Sequence, residues 1–184
     1  MNILILGGTG AMGAPLAELL AEEHQIFVTS RSRWPSSKPS LHYLQGDAHD
    51  ETFLNRVLNS HAPFDAIVDF MAYGTSEFAA RVPHLLAGTA QYIFLSSSRV
   101  YACSESPLTE TSPRLLDISD DSTYLATDEY ALAKARQEDL LKNSGLWNWT
   151  IVRPYITYNM MRLQLGVFEK ESWLYRALQG RTLL

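Results

Sequence analysis

The first thirteen residues, MNILILGGTGAMG, constrain this chain more than any other stretch. Ile3, Leu4, Ile5 and Leu6 form an apolar run of the length expected for a buried parallel strand, and the run stops at Gly7 and Gly8. Beyond Gly10 the apolar residues return at helical spacing, at Leu16, Leu19 and Leu20. Strand, glycine turn and helix in that order leave a corner of backbone with no side chains in the way. A pyrophosphate can rest against amide N–H groups at such a helix N-terminus, where the helix dipole favours negative charge. The turn residues Gly7, Thr9, Gly10, Ala11, Met12 and Gly13 are therefore expected to hold a dinucleotide.

The remainder of the chain repeats the alternation that this opening begins. Strands are expected at 25–29 (QIFVT), 41–44, 65–71 (DAIVDFM), 91–96 (QYIFLS) and 150–152. Helices are expected at 14–23, 51–59, 76–86 and 128–143, the last stopped by Gly145. Residues 102–126 read as a long, polar, acidic loop, a length that usually serves function. The pattern predicts an α/β fold with a doubly wound, Rossmann-like parallel sheet of strand order 3-2-1-4-5-6. Residues 1–158 would form the nucleotide-binding domain. Residues 159–184 would begin a truncated C-terminal substrate-binding region, with a loop and a helix over 173–178.

Composition narrows the partners. At 184 residues, 46% hydrophobic and 19% charged, the chain can bury one sizeable core. A net charge of -5 gives no bulk attraction to nucleic acid, so none is expected as a partner. Cys103 is the only cysteine, which rules out an internal disulfide and a thiol-based zinc site. His24, His42, His49, His61 and His84 show no ligand spacing and read as surface or loop residues, so no metal is expected. No apolar segment approaches the roughly 18–20 residues of a membrane span. The chain enters its first strand directly, which points to the cytoplasm.

Polar residues that could carry chemistry fall at the carboxyl ends of the strands, where such sheets bind ligands. After the second strand stand Ser30, Arg31 and Arg33 in place of the acid that usually accepts from an NAD ribose. A guanidinium can bond a 2′-phosphate, so NADP is expected over NAD unless the arginines are solvated loop charges. After the third strand, Asp47 and Ala48 lie where an adenine edge would pass, and Asp47 equally suits a turn. Met71, Ala72 and Tyr73 follow the fourth strand and would let the chain pass close to the cofactor. Ser96, Ser97 and Ser98 end the fifth strand. Tyr130 and Lys134 sit four residues apart on a helix face, so a phenol and an ammonium can converge on one site. A neighbouring ammonium favours phenolate, which suits the phenol to acid/base work.

Taken together, GGTGAMG at 7–13, GDAHD at 46–50, SSSRVY at 96–101, PLTE at 107–110, YALAK at 130–134 and RPYITY at 153–158 resemble one family. It is the extended short-chain dehydrogenase/reductase group of the NAD-dependent epimerase/dehydratase type. The resemblance implies Ser97 as the catalytic hydroxyl, Tyr130 as acid/base, and Lys134 on the nicotinamide ribose. It also implies that Pro154 and Tyr155 lie near the nicotinamide, and that a homodimer forms through the helices over 76–86 and 128–143. Ser98 and Arg99 replace the Asp-Glu pair of sugar dehydratases, which disfavours water elimination. Ala102 stands where a Gly is usual, and Tyr158-Asn159-Met160 where Tyr-Gly-Pro is usual. Relatives continue well beyond a GRTLL-like stretch, so the chain is expected to be a fragment or a truncated form.

The expected function is an NAD(P)-dependent epimerase or reductase acting on a hydroxyl-bearing carbon of a nucleotide sugar. The alternative is a non-catalytic NADP-binding protein of regulatory or RNA-associated type. The acidic residues Asp117, Asp120 and Asp121 read as a solvated loop, and Trp147 and Trp149 as core or interface.

Overall fold

The computed structural model describes residues 1–182 apart from 62, 158–162 and 166–167. Six parallel strands form the main sheet: β1 (Asn2–Leu6), β2 (Gln25–Ser30), β3 (Leu41–Gln45), β4 (Phe64–Asp69), β5 (Thr89–Leu95) and β6 (Trp149–Val152). Their order is β3-β2-β1-β4-β5-β6, as the alternation predicts. Ile3 pairs with Ile26 on one side and Ala66 on the other, which puts β1 at the centre.

That position explains the apolar run. Leu4, Ile5 and Leu6 are wholly buried, because both faces of a central parallel strand are covered. Successive side chains of β1 point to opposite faces and so seed two cores. Leu4 and Leu6 pack with the inner faces of α2 (Glu51–His61) and α3 (Thr75–Ala87), through Phe53, Leu54, Phe78 and Leu85. Ile3 and Ile5 pack with α1 (Gly13–Leu20) through Ala17. The helix that carries the expected chemistry, α6 (Tyr130–Lys142), lies against α3 and adds Leu141 to the first core.

Four regions differ from the sequence reading. The segment 102–126 carries two short helices, α4 (Leu115–Ile118) and α5 (Ser122–Leu125), and a bridge between Tyr101 and Arg114. Its acids are not simply solvated: Asp117 accepts two bonds from Arg114, and Asp121 caps α5 by accepting the Tyr124 N–H at 2.9 Å. Trp147 is 91% exposed and so is not core, whereas Trp149 packs on the core. His42 and His61 both pack on the Phe27 ring, at 5.1 and 4.9 Å, because the aromatic ring offers an apolar seat to a half-buried imidazole. The tail holds a strand pair, β7 (Gln164–Leu165) with β8 (Phe168–Glu169), and α7 (Lys170–Leu178) starts three residues before the expected Trp173. Residues 158–160, where the sequence departs from the family pattern, lie outside the described residues.

Candidate functional site

The glycine turn is shaped by close approaches of backbone. Gly7 has φ +66°, a conformation that favours glycine, and a Cβ on it would lie 2.8 Å from the Met71 sulfur. A Cβ on Gly13 would lie 2.6–2.7 Å from the Gly8 backbone, so the start of α1 can press against the turn only without a side chain. Gly10 is different: a Cβ there would meet no atom of the described residues within 4 Å. Its bareness relieves no contact inside the protein and instead leaves the turn open on its outer side. The Thr29 hydroxyl accepts the Gly7 N–H at 3.0 Å and ties the turn to β2. No side chain caps the N-terminus of α1, whose N-cap is Met12.

In front of this turn lies a cleft of about 340 Å³ at the carboxyl ends of β1, β2 and β3. Gly7, Thr9, Gly10, Ser30, Arg31, Asp47, Ala48 and Met71 line it, together with Thr29, Gly46 and His49. A bare glycine corner, a helix start with no side-chain cap, and a cleft at the switch of strand order fit a dinucleotide pyrophosphate. Asp47 serves as a turn former, accepting the His49 N–H at 2.9 Å. Tyr73 does not reach the cleft. It is buried, its hydroxyl donating to Asp69 at 3.4 Å and its ring against Phe78, because the chain after β4 turns inward there. Ala72 is exposed beside it.

The other half of the site is built on α6. Glu129 caps this helix, accepting the Ala131 N–H at 2.8 Å. Tyr130 at its start is 43% exposed, with the Arg99 guanidinium 5.5 Å from its ring centre. Lys134, one turn on, is only 4% exposed. Its Nζ donates to the Leu95 carbonyl at 2.8 Å and lies 4.5 Å from the Phe94 ring centre. Burial lowers its pKa to about 8, against the pull of the Asp69 and Glu138 charges. The Ser97 hydroxyl accepts the Arg99 N–H at 3.2 Å and caps a single 3₁₀ turn over Ser98–Val100. Pro154 is half-buried, its carbonyl accepting the Ser98 N–H at 3.0 Å, while Tyr155 is exposed. Among the described residues no hydrogen bond joins Tyr130 to Ser97 or Lys134.

Three supporting residues escape the sequence reading. Asp69 is buried at the end of β4, where it accepts from the Met71 N–H at 2.9 Å and the Tyr92 hydroxyl at 2.7 Å. Burial raises its pKa, and those bonds counter the rise. Arg81 donates to the Ala48 carbonyl at 2.9 Å and to the His49 carbonyl, fastening the cleft wall to α3. Glu138 is wholly buried and bonded by Ser96 and Arg153. Two of them had a legible signal. Arg81 sits on the helix face that carries Phe78, Val82 and Leu85, and Glu138 continues the four-residue spacing of Tyr130 and Lys134.

Residues 7–171 match the model of a family described as NAD(P)H-binding. The chain belongs to this NAD(P)H-binding family. No curated protein matches the chain. Solved structures with the same fold include the WbmH enzyme of Bordetella bronchiseptica in complex with NAD+, at 17% identity and a TM-score of 0.70, covering 98% of this chain and 63% of that one. A second is dTDP-glucose 4,6-dehydratase of Bacillus anthracis with NAD, at 18% identity and 0.72, covering 100% and 63%. A third is UDP-glucuronic acid 4-epimerase of Bacillus cereus with NAD, at 15% identity and 0.71, covering 100% and 64%. The chain thus spans under two thirds of the length of these proteins.

All three of those structures carry NAD, which overturns the expectation of NADP from Ser30 and Arg31. The local geometry gives the physical reason. The Ser30 hydroxyl is taken by the Ser32 N–H at 3.3 Å, and Arg31 is exposed with no side-chain partner among the described residues. Both residues line the cleft, Ser30 with its hydroxyl tied into the local turn. Also among the described residues, no His, Cys, Asp and Glu side chains group to hold a metal ion, and no helix is long and apolar enough to cross a membrane.

Proposed function

We propose that residues 1–158 form the NAD-binding domain, and residues 159–184 the start of the substrate-binding region, of a nucleotide-sugar epimerase or reductase. One observation carries the reading: the bare glycine cradle and the Tyr130–Lys134 turn of α6 stand at the carboxyl ends of one sheet. The structural neighbours support NAD as cofactor and nucleotide sugars as substrates, since several are described as acting on UDP- or dTDP-sugars. Gly7, Thr9, Gly10, Ala11, Met12 and Gly13 would hold the pyrophosphate, with Asp47, Ala48 and Met71 along the cleft. The exposed turn residue Ala72 and the half-buried Pro154 would lie beside the nicotinamide end.

When bound, NAD would supply the hydride acceptor and donor for the substrate carbon. The chain's own residues handle the proton. Tyr130, half-exposed at the start of α6, takes the proton of the substrate hydroxyl as the carbon becomes a carbonyl, and gives it back on reduction. The Ser97 hydroxyl holds the same substrate oxygen. Lys134, one turn further along the same helix face, would bring the positive charge of this half of the site. A carbonyl carbon reduced again from its opposite face would be epimerised, and one released as the carbonyl would be the oxidised product. A homodimer through α3 and α6 is part of the proposal.

The second reading is an NAD-binding protein without turnover. It is favoured by the commitment of Lys134 to the Leu95 carbonyl and of Ser97 to the Arg99 N–H. One experiment separates the two. UDP- and dTDP-sugars are offered with NAD, and epimer and NADH formation are followed, alongside NAD titration. Turnover that falls about 10²–10⁴-fold in Tyr130→Phe, with NAD affinity unchanged, supports the enzyme. Unchanged turnover in that variant overturns the mechanism, and NAD binding with no turnover supports the second reading.

A further inference from the structure

Glu138 is the most completely enclosed carboxylate on α6, at 0% exposure. Oε1 accepts from the Ser96 hydroxyl at 2.6 Å and from Arg153 Nε at 2.8 Å; Oε2 accepts from Arg153 Nη2 at 2.7 Å and Arg114 Nη1 at 3.3 Å. Burial opposes the charge, yet the bonds from Arg153 and Ser96 hold its carboxyl below the ordinary range. A buried charge is tolerated when its lone pairs are filled in this way.

The partners are not a random set. Ser96 precedes Ser97, and Arg153 precedes Pro154. The backbone already links these two strand ends, through Ser96 N–H to Val152 O at 2.8 Å and Ser98 N–H to Pro154 O at 3.0 Å. Glu138 lies one turn beyond Lys134, whose Nζ is held by the Leu95 carbonyl. Consecutive turns of α6 are therefore pinned to consecutive residues at the end of β5, Lys134 to Leu95 and Glu138 to Ser96. Two pins fix both the height and the rotation of the helix over the strand ends, where one would leave it free to pivot. Arg114 extends the anchor by bonding Asp139 at 2.8 Å and Asp117 at 2.7 Å, which brings the 102–126 segment to the same point.

We infer that Glu138 is a positioning residue for the nicotinamide half of the site, its carboxylate setting Ser97, Pro154 and Lys134 relative to one another without touching cofactor or substrate. This rests on the NAD-binding reading above. The adenosine half, at the ends of β1–β3, has no bond to Glu138. The role therefore shows as a loss confined to one end of the cofactor.

The test compares NADH with ADP-ribose, which lacks the nicotinamide, in titrations of the wild type, Glu138→Gln and Ser96→Ala. In Glu138→Gln the affinity for NADH is expected to fall about tenfold, the equivalent of one well-made hydrogen bond, with ADP-ribose affinity unchanged. Ser96→Ala removes one bond and leaves both arginines paired, so it should show a smaller loss of the same selectivity. It carries the test if Glu138→Gln does not fold. Parallel loss of both ligands, or no loss of either, overturns the positioning role alone. A wild type that binds neither ligand overturns the NAD reading and this inference with it.

Discussion

The β1–β3 half of the sheet and the β4–β6 half present their ends to the site by different means. The first is shaped by bare backbone: Gly7 in a left-handed conformation, Gly13 against Gly8, and a threonine hydroxyl holding one amide. The second is shaped by buried charge: Asp69 at the end of β4, Lys134 on the β5 carbonyl, and Glu138 between Ser96 and Arg153. A backbone cradle has nothing to titrate near neutrality and fails when a side chain is added. A charged scaffold tolerates shape changes better and responds to pH and to loss of a partner. The half expected to bind is thus rigid by sterics, and the half expected to react is held by electrostatics.

The largest expected effect tests the charged half. Lys134 has a pKa of about 8 in the fold against an ordinary 10.5, because burial penalises its ammonium. Between those values the unfolded chain keeps the proton that the fold has released. Stability from this residue therefore rises as pH climbs from about 8 to about 10.5, by on the order of 3 kcal/mol, and the cost is fully present below pH 8. Urea unfolding should show the wild type gaining on Lys134→Met, by on the order of 3 kcal/mol, as pH climbs across that range. A constant difference would mean that the lysine is not desolvated in the fold.

The next effect tests the backbone half. Gly13→Ala puts a methyl 2.6–2.7 Å from the Gly8 backbone, which cannot rotate away. A loss of roughly 1–3 kcal/mol is expected from overpacking, together with loss of NAD binding. Normal binding with reduced stability would show that the turn can shift and still cradle a pyrophosphate. The smallest effect concerns the cleft's exposed rim. Arg31→Ala should change stability by less than about 0.5 kcal/mol and NAD affinity by less than about threefold, since the side chain is solvated. A larger drop in a titration would give the arginine a direct part in holding the cofactor.

The two halves also differ in how far they could be read beforehand. The strand order, the glycine turn and the placement of Tyr130 and Lys134 on one helix follow from local pattern. Gly7 and Gly13 bear their constraint in their identity, because glycine is what a close backbone approach requires. Arg31 misled, because a guanidinium just past the second strand looks alike whether it meets a phosphate or water. The acids at 117 and 121 misled in the opposite sense. Nothing in a run of aspartates tells that Arg114 will fold back on one and a helix start on another.

What the sequence determined by itself is whatever depends on neighbours a few residues apart. Hydrophobic period fixes strand and helix, glycine spacing fixes the turn, and four-residue spacing puts Tyr130, Lys134 and Glu138 on one face. Tertiary structure decided which of those side chains are charged inside the protein and what holds them. Glu138 meets Ser96 from 42 residues away and Arg153 from 15, and Arg81 reaches Ala48 across 33. A buried ion pair exists only when desolvation and partner arrive together, and both are properties of the packed chain rather than of any stretch within it.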